Sequence, residues 1–245
     1  MAFLLTAAIL AVSNDGKGDE SAETYHQCLT LARTKPEEGL DQAQRWEGLA
    51  GGEAARHCTA VALIGLRQYR KAAERLESLA QTSRRENALR AGLLAQAGQA
   101  WLLAGELERA FATQTTALAL TPADPELYVD RAQILAEARN YWEAINDLNT
   151  ALELVPQLIN AIIFRAAAYR FVGAFDLAWQ DVKEALERAP NSQEALLERG
   201  ILARLANRPA EARRDWLRLL ILDPTTATAD AARRNLELLD VQGGK

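Results

Sequence analysis

Residues 125–158 read PELYVDRAQILAEARNYWEAINDLNTALELVPQL, and the pattern of this stretch returns in the chain at a fixed step of 34 residues. Four of the seven prolines mark the step: Pro122, Pro156, Pro190 and Pro224. Small residues keep the same step at Ala110, Ala144, Ala178 and Ala212. A fixed step of this size indicates a repeat array, in which each unit stacks on its neighbours.

Each unit is predicted to form two helices joined by a short turn. In the quoted stretch, Leu127 and Leu135 lie near helical spacing in the first half, and Leu148 and Leu152 do so in the second. Pro156 ends the unit because proline lacks the backbone N–H and clashes with the preceding helical turn. Neither helix can bury its apolar face alone, so neighbouring units must cover it.

These units resemble the tetratricopeptide repeat (TPR) family, whose pattern places a small residue where the first helix (helix A) crosses the second (helix B). This position is occupied by Gly98, Ala132, Ala166 and Gly200. The turn glycine of the pattern is present at Gly105 and Gly173, whereas Arg139 and Asn207 depart from it. The resemblance covers roughly residues 91–224. It implies an all-α, right-handed superhelical solenoid of antiparallel helix pairs with a C-terminal capping helix.

The predicted organisation has five parts. Residues 1–20 are a signal or disordered segment, 21–52 a degenerate helical pair, and 53–90 a degenerate TPR unit. Four repeats follow, at 91–124, 125–158, 159–192 and 193–224. Residues 225–245 hold the capping helix and a tail, because the last repeat would otherwise expose its apolar face.

Three arginines on A helices are each followed, sixteen residues later, by an aspartate on the B helix of the same unit. The pairs are Arg131 with Asp147, Arg165 with Asp181, and Arg199 with Asp215. We expect structural ion pairs across each hairpin, because guanidinium and carboxylate groups match in bidentate geometry. The alternative is a basic stripe for an anionic ligand.

Cys28 and Cys58 are the only cysteines, and each is expected on a helix, one hairpin apart. First helices of neighbouring units touch in such an array, so an oxidising compartment would permit a disulfide. Two buried free thiols are the alternative. His26 and His57 lie close by, but residues one or two apart on a helix do not share a face, so no metal site is expected.

The N-terminus carries an apolar run over residues 3–13, which is too short to span a bilayer and is typical of a signal peptide. It predicts a periplasmic or secreted protein. A basic stretch before the run is absent, which leaves open an incomplete start, an uncleaved anchor or a cytoplasmic protein.

The resemblance implies that a concave groove is lined by residues of the A helices. The corresponding residues are Ala95, Gln99, Val129, Gln133, Ile163, Ala167, Arg170, Leu197, Ile201 and Arg204. Some family members hold a peptide's terminal carboxylate with lysine at the positions of Ala95, Val129, Ile163 and Leu197, so that mode is not expected here. The groove is predicted to be apolar with a basic edge at Arg170 and Arg204. It would suit an amphipathic helix or an extended apolar peptide. Packing between helices, or a self-association surface, is the alternative role of these residues.

The sequence shows no Gly-rich phosphate loop after a strand, no metalloprotease histidine pair and no nucleophile elbow. The net charge of −5 and the lack of a basic face argue against nucleic acid. We therefore expect a non-enzymatic scaffold or adaptor that binds a partner protein or peptide, with no cofactor and no small-molecule substrate. The alternatives are a self-assembling structural subunit, which would be a homo-oligomer, and a non-catalytic subunit of an envelope complex.

Overall fold

The computed structural model describes the backbone of residues 18–243 and the side chains of residues 21–241. The signal segment predicted at residues 3–13 lies outside the described residues. The described chain contains thirteen α-helices and no strand. The helices are α1 Gly18–Thr34, α2 Pro36–Gly48, α3 Gly52–Gly65, α4 Tyr69–Thr82, α5 Asn87–Leu103, α6 Leu107–Leu120, α7 Pro125–Glu137, α8 Tyr141–Leu154, α9 Ile159–Phe171, α10 Phe175–Arg188, α11 Gln193–Leu205, α12 Pro209–Leu222 and α13 Ala227–Gly243. The prediction of an all-α array of helix pairs is confirmed.

The described chain divides into two compact units. We call residues 18–134 the N-terminal unit and residues 135–243 the C-terminal unit, and the boundary falls inside α7. Within the N-terminal unit, α1 packs on both α2 and α3, and α5 packs on both α4 and α6. Within the C-terminal unit, α9 packs on α11 and α11 packs on α13, so consecutive A helices lie side by side.

The helix boundaries follow the 34-residue step. The A helices α7, α9 and α11 begin at residues 125, 159 and 193, and the B helices α8, α10 and α12 begin at 141, 175 and 209. Two boundaries differ from expectation. Helix α5 begins at Asn87, four residues before the repeat start predicted at 91, and α1 begins at Gly18, inside the segment predicted as signal or disordered. Helix α5 is therefore longer, at 17 residues, than the 13 residues of each later A helix.

The turn between the two helices keeps one backbone conformation even where its residue type changes. Gly105, Arg139, Gly173 and Asn207 have φ values of 77°, 61°, 78° and 57°. This left-handed region is comfortable for glycine, and for other residues Cβ comes too close to the following carbonyl oxygen. Arg139 and Asn207 therefore preserve the turn at a cost in backbone strain.

Helix crossings combine a small residue on helix A with a larger one sixteen positions later on helix B. A Cβ atom on Gly200 would collide with the indole of Trp216, and one on Gly98 would lie 2.8 Å from Oε1 of Gln114. Ala166 faces the smaller Val182 in the same core. Glycine is therefore required at position 200, opposite the largest B-helix side chain, because a packed core tolerates little extra volume.

Helix α13 covers the apolar end of the last repeat. It buries Ala229, Ala232 and Leu239 in the same core as Trp216 and Leu219. None of the helices in the described region is long and apolar enough to cross a membrane.

Candidate functional site

The predicted lining residues of the N-terminal unit are only partly accessible. Val129 is buried, at 1% exposure, and Ala95 packs against the core of this unit. Gln99 donates a hydrogen bond from Nε2 to Oδ1 of Asp130 at 3.0 Å, and Gln133 is half-buried. Asp130, one position after Val129, is half-buried and accepts the hydrogen bond from Gln99.

Asp130 has an unusual protonation state. Burial raises the pKa of its carboxyl group from 3.8 to about 7, and the nearby carboxylates of Glu126 and Asp124 add to the rise. The hydrogen bond from Gln99 acts in the opposite direction. The neutral acid is favoured because a buried charge is poorly solvated. Asp130 therefore changes charge near neutral pH, where an ordinary aspartate remains ionised.

In the C-terminal unit, Ile163 is buried, and Leu197 and Ile201 pack against its core. Ala167 is half-buried. The expectation of a groove lined by Val129 and Ile163 is corrected, since neither side chain is accessible to a ligand. Ile163 belongs instead to the core of the C-terminal unit, and Val129 is buried in the N-terminal unit.

The predicted basic edge is also corrected. Nε of Arg170 donates to Oε1 of Glu198 at 2.5 Å, and both side chains are largely buried. This pair joins α9 to α11 and neutralises Arg170. Arg204 is half-buried, and its Nε has no hydrogen-bond partner among the described residues. Arg204 therefore remains as the cationic group of this surface.

An accessible apolar surface lies next to these arginines. Ala167 and Phe171 are four residues apart on α9, and Ile201 and Leu205 take the equivalent positions on α11. Residues at this spacing share a helix face, and α9 packs on α11. We call these four residues the α9–α11 patch. Phe171 and Leu205 are 55% and 49% exposed.

An aromatic stack extends the patch along one edge. The ring of Tyr141 lies parallel to that of Phe171, with centroids 4.6 Å apart, and the guanidinium of Arg170 lies 4.2 Å from the centroid of Phe171. Both contacts hold Phe171 in place although it is exposed, which makes it a rigid apolar anchor. Sequence reasoning missed Phe171 and Leu205, although both stand one position after the residues predicted as the basic edge.

Two of the three predicted ion pairs are present. Nε and Nη2 of Arg165 donate to the two carboxylate oxygens of Asp181, each at 2.8 Å. Arg199 binds Asp215 in the same way, at 2.7 and 2.6 Å. Arg131 and Asp147 belong to different units, and their pairing stays a prediction.

The cysteines and histidines lie in the N-terminal unit. Cys28 of α1 and Cys58 of α3 form a disulfide, with their Cα atoms 6.2 Å apart. Beside it, the Tyr25 hydroxyl lies 2.7 Å from Nδ1 of His57, and Nε2 of His57 lies 2.9 Å from Oε1 of Gln96. Because an amide oxygen only accepts, Nε2 carries the proton and Nδ1 accepts from Tyr25.

Burial lowers the pKa of His57, so its neutral form is favoured. His26 is exposed on α1. In the described part of the chain, no group of three or more His, Cys, Asp and Glu side chains is arranged to hold a metal ion. The hydrogen bonds of His57 with Tyr25 and Gln96 instead join α3 to α1 and to α5.

No protein-family model matches the chain. Tetratricopeptide repeat protein 36 of Bos taurus is 33% identical over 114 residues, which are 45% of this chain and 58% of that protein. The SGT1 homolog of Oryza sativa subsp. japonica is 41% identical over 63 residues, 26% of this chain and 17% of the relative. The chain thus spans less than two thirds of the length of these curated relatives.

Among solved structures, a tetratricopeptide repeat protein from Parabacteroides merdae has the same fold. Its TM-score is 0.71 at 15% identity, over 89% of this chain and 88% of that one. At this identity the likeness shows the fold alone.

Proposed function

Because the chain is a tetratricopeptide repeat protein, we propose that it binds a segment of another protein on the α9–α11 patch. The observation that carries the proposal is the exposure of Phe171 and Leu205 beside the half-buried Ala167 and Ile201. A partner that covers these side chains removes apolar surface from water, the main favourable term in association. The proposed role is non-enzymatic.

The partner segment is an amphipathic helix or an extended apolar peptide. Rigid aromatic anchors such as Phe171 are typical of residues that dominate binding energy. Arg204 sets the orientation of the segment, because its half-buried guanidinium carries a positive charge that favours a carbonyl or carboxylate of the partner nearby. Arg170 supports Phe171 and is not offered to the partner, since Glu198 holds it.

The test compares two double variants as bait in extract from the cells that produce the protein. Phe171→Ser with Leu205→Ser removes the patch. Leu154→Ser with Leu177→Ser removes two leucines of similar exposure on α8 and α10. We expect a partner to be captured by the wild type and the second variant, and lost with the first. Equal capture by both folded variants would exclude the patch as the binding surface.

We also propose that the protein works in an oxidising compartment, the periplasm or the exterior. The Cys28–Cys58 disulfide supports this location, because disulfides persist in such compartments and are rare in the cytosol. Alkylation of thiols in intact cells tests it. Cysteines protected until reduction are expected, and cysteines that react without reduction would place the protein in a reducing compartment.

Self-association is the second candidate function. Ile221 of α12 and Leu238 and Val241 of α13 are exposed at 83%, 54% and 70% at the C-terminal end of the chain. Burial of such side chains between two copies would stabilise an oligomer. Light scattering over a range of concentrations tests this: the mass should rise for the wild type and stay monomeric for Ile221→Glu with Leu238→Glu. A monomeric wild type at high concentration would exclude it.

A further inference from the structure

The helix-A arginine makes different hydrogen bonds in each of the last two repeats. In addition to its two bonds to Asp181, Arg165 donates from Nη1 to Oδ1 of Asn149 on the preceding B helix, at 2.8 Å. The residue equivalent to Asn149 in the next repeat, 34 positions later, is Lys183. An ammonium group cannot accept a hydrogen bond. Among the described residues, the hydrogen bonds of Arg199 come from Nε and Nη2, and both go to Asp215.

A cleft of about 760 Å³ opens where this acceptor is missing. It lies between α10 and α12, on the B-helix side of the last two repeats, with Arg199 of α11 in its wall. Trp179 and Leu186 supply its apolar lining, and Lys183 and Arg214 supply further cationic groups. A volume of this size accommodates a segment of several residues.

The charges that line the cleft balance, and two of its carboxylates already have a cationic partner. The lining holds three cations (Lys183, Arg199 and Arg214) and three carboxylates (Glu187, Glu211 and Asp215). Arg199 binds Asp215, and Arg208, outside the lining, lies 3.9 Å from Glu211. Lys183 and Glu187 are 3.8 Å apart and well exposed, so their pairing is weak and Lys183 is available to a ligand.

We propose that this cleft binds an acidic segment of a partner protein. A carboxylate of the segment accepts from Nη1 of Arg199 and from Nζ of Lys183, and an apolar neighbour packs on Trp179 and Leu186. The ligand thereby supplies the acceptor that Asn149 supplies to Arg165 in the preceding repeat. The cleft is formed mainly by B helices and shares no residue with the α9–α11 patch, so this site stands apart from the proposed function.

The test uses the full chain with ¹⁵N-labelled arginine and tryptophan at constant ionic strength. The probes are the blocked tripeptides acetyl-Leu-Glu-Leu-amide and acetyl-Leu-Gln-Leu-amide, and propionate. We expect the glutamate peptide to shift the Trp179 indole and Arg199 guanidinium signals, and to bind about tenfold more tightly than the glutamine peptide. No shift, or equal shifts with both peptides, would overturn the proposal. A glutamate peptide that binds no more tightly than propionate would overturn the assignment to a protein segment.

Lys183→Asn is the matched variant, because it rebuilds the arrangement of Asn149 and Arg165. We expect it to fold, to give Arg199 its third bond, and to weaken binding of the glutamate peptide about tenfold. Lys71→Asn removes the same charge from an exposed site on α4 and should leave binding unchanged. Unchanged binding by a folded Lys183→Asn protein would overturn the proposal.

Discussion

The two units of the chain hold their helices together by different means. In the N-terminal unit, α1 is joined to α3 by the Cys28–Cys58 disulfide and by the contact of Tyr25 with His57. In the C-terminal unit, the same arginine–aspartate pair recurs with the repeat, at Arg165–Asp181 and Arg199–Asp215. The disulfide and the Tyr25–His57 contact thus lie where the 34-residue step fails, and the recurring arginine–aspartate pairs lie where it holds.

The difference indicates what a degenerate repeat needs. A regular unit inherits stacking contacts from its neighbours, because each unit buries the next. The first helix pair does not follow the step, so its residues pack in their own way: a Cβ on Gly39 would collide with the backbone of Ala32. A covalent bond then supplies stability that repetition supplies elsewhere.

Loss of the Cys28–Cys58 disulfide is expected to have the largest effect on stability. Cys28→Ala with Cys58→Ala frees a loop with a sequence separation of 30 residues. It should lower the free energy of unfolding of the N-terminal unit by about 3.5 kcal/mol, because the unfolded chain regains conformational freedom. Amide hydrogen exchange resolves the two units. Faster exchange is expected in α1–α3 and not in α9–α12, and equal acceleration in both units would contradict the comparison.

Asp181→Ala is the corresponding change in the C-terminal unit. It leaves the guanidinium of Arg165, largely buried, with only the bond to Asn149. We expect a loss of about 3 kcal/mol, measured by denaturant unfolding, because an unpaired buried charge is costly. Glu187→Ala breaks an exposed contact on the same helix and should change stability by less than about 0.5 kcal/mol. Similar losses from both changes would contradict this role for the recurring pairs.

Asp130 gives the N-terminal unit a pH dependence. Its folded pKa, about 7, lies above the ordinary value of 3.8, so folding favours the proton. The contribution of Asp130 is therefore fully present below pH 3.8 and is lost as pH rises toward 7. Asp130→Asn should stabilise the unit by about 2 kcal/mol at about pH 8 and by close to nothing near pH 3.5.

Thermal unfolding at both pH values measures the Asp130→Asn effect. Glu108→Gln removes an exposed carboxylate from α6 of the same unit and serves as the control. It should change stability little at either pH. A stabilisation by Asp130→Asn that is the same at both pH values would show that burial of the charge is not its cause.

The smallest expected effect concerns the turn between helices. Arg139→Gly should stabilise the protein by about 0.7 kcal/mol, since glycine adopts the left-handed conformation without strain. Gly173→Ala, at the same place one repeat later, should destabilise by about 1 kcal/mol. Chemical denaturation measures both, and changes of the same sign would contradict a shared turn geometry.

Much of the fold could be predicted from the 34-residue step. The starts of α7, α9 and α11 coincide with the predicted repeat boundaries. The ion pairs Arg165–Asp181 and Arg199–Asp215 form between the residues that the sequence predicted. The turn at Arg139 keeps its conformation although the residue type does not indicate it. The left-handed backbone conformation at such a position can be predicted only from its place in the repeat.

The candidate site was less predictable, for a physical reason. A rotation of one residue on a helix moves a side chain by about 100°, which separates the fully buried Val129 from the half-buried Asp130. The Arg170–Glu198 pair spans 28 residues, and no local pattern indicates which acceptor an arginine will meet. The Cys28–Cys58 bond was one of two alternatives, because spacing alone does not distinguish a disulfide from two buried thiols.

Site-specific photo-crosslinking tests the central claim, that the α9–α11 patch binds another protein, most directly. A photoreactive phenylalanine analogue would replace Leu205 in the patch or Leu154 outside it, two leucines of similar exposure in the same unit. After irradiation in the producing cells, we predict an adduct to a different protein from position 205 and none from position 154. No adduct from position 205, or the same adduct from both positions, would contradict the claim.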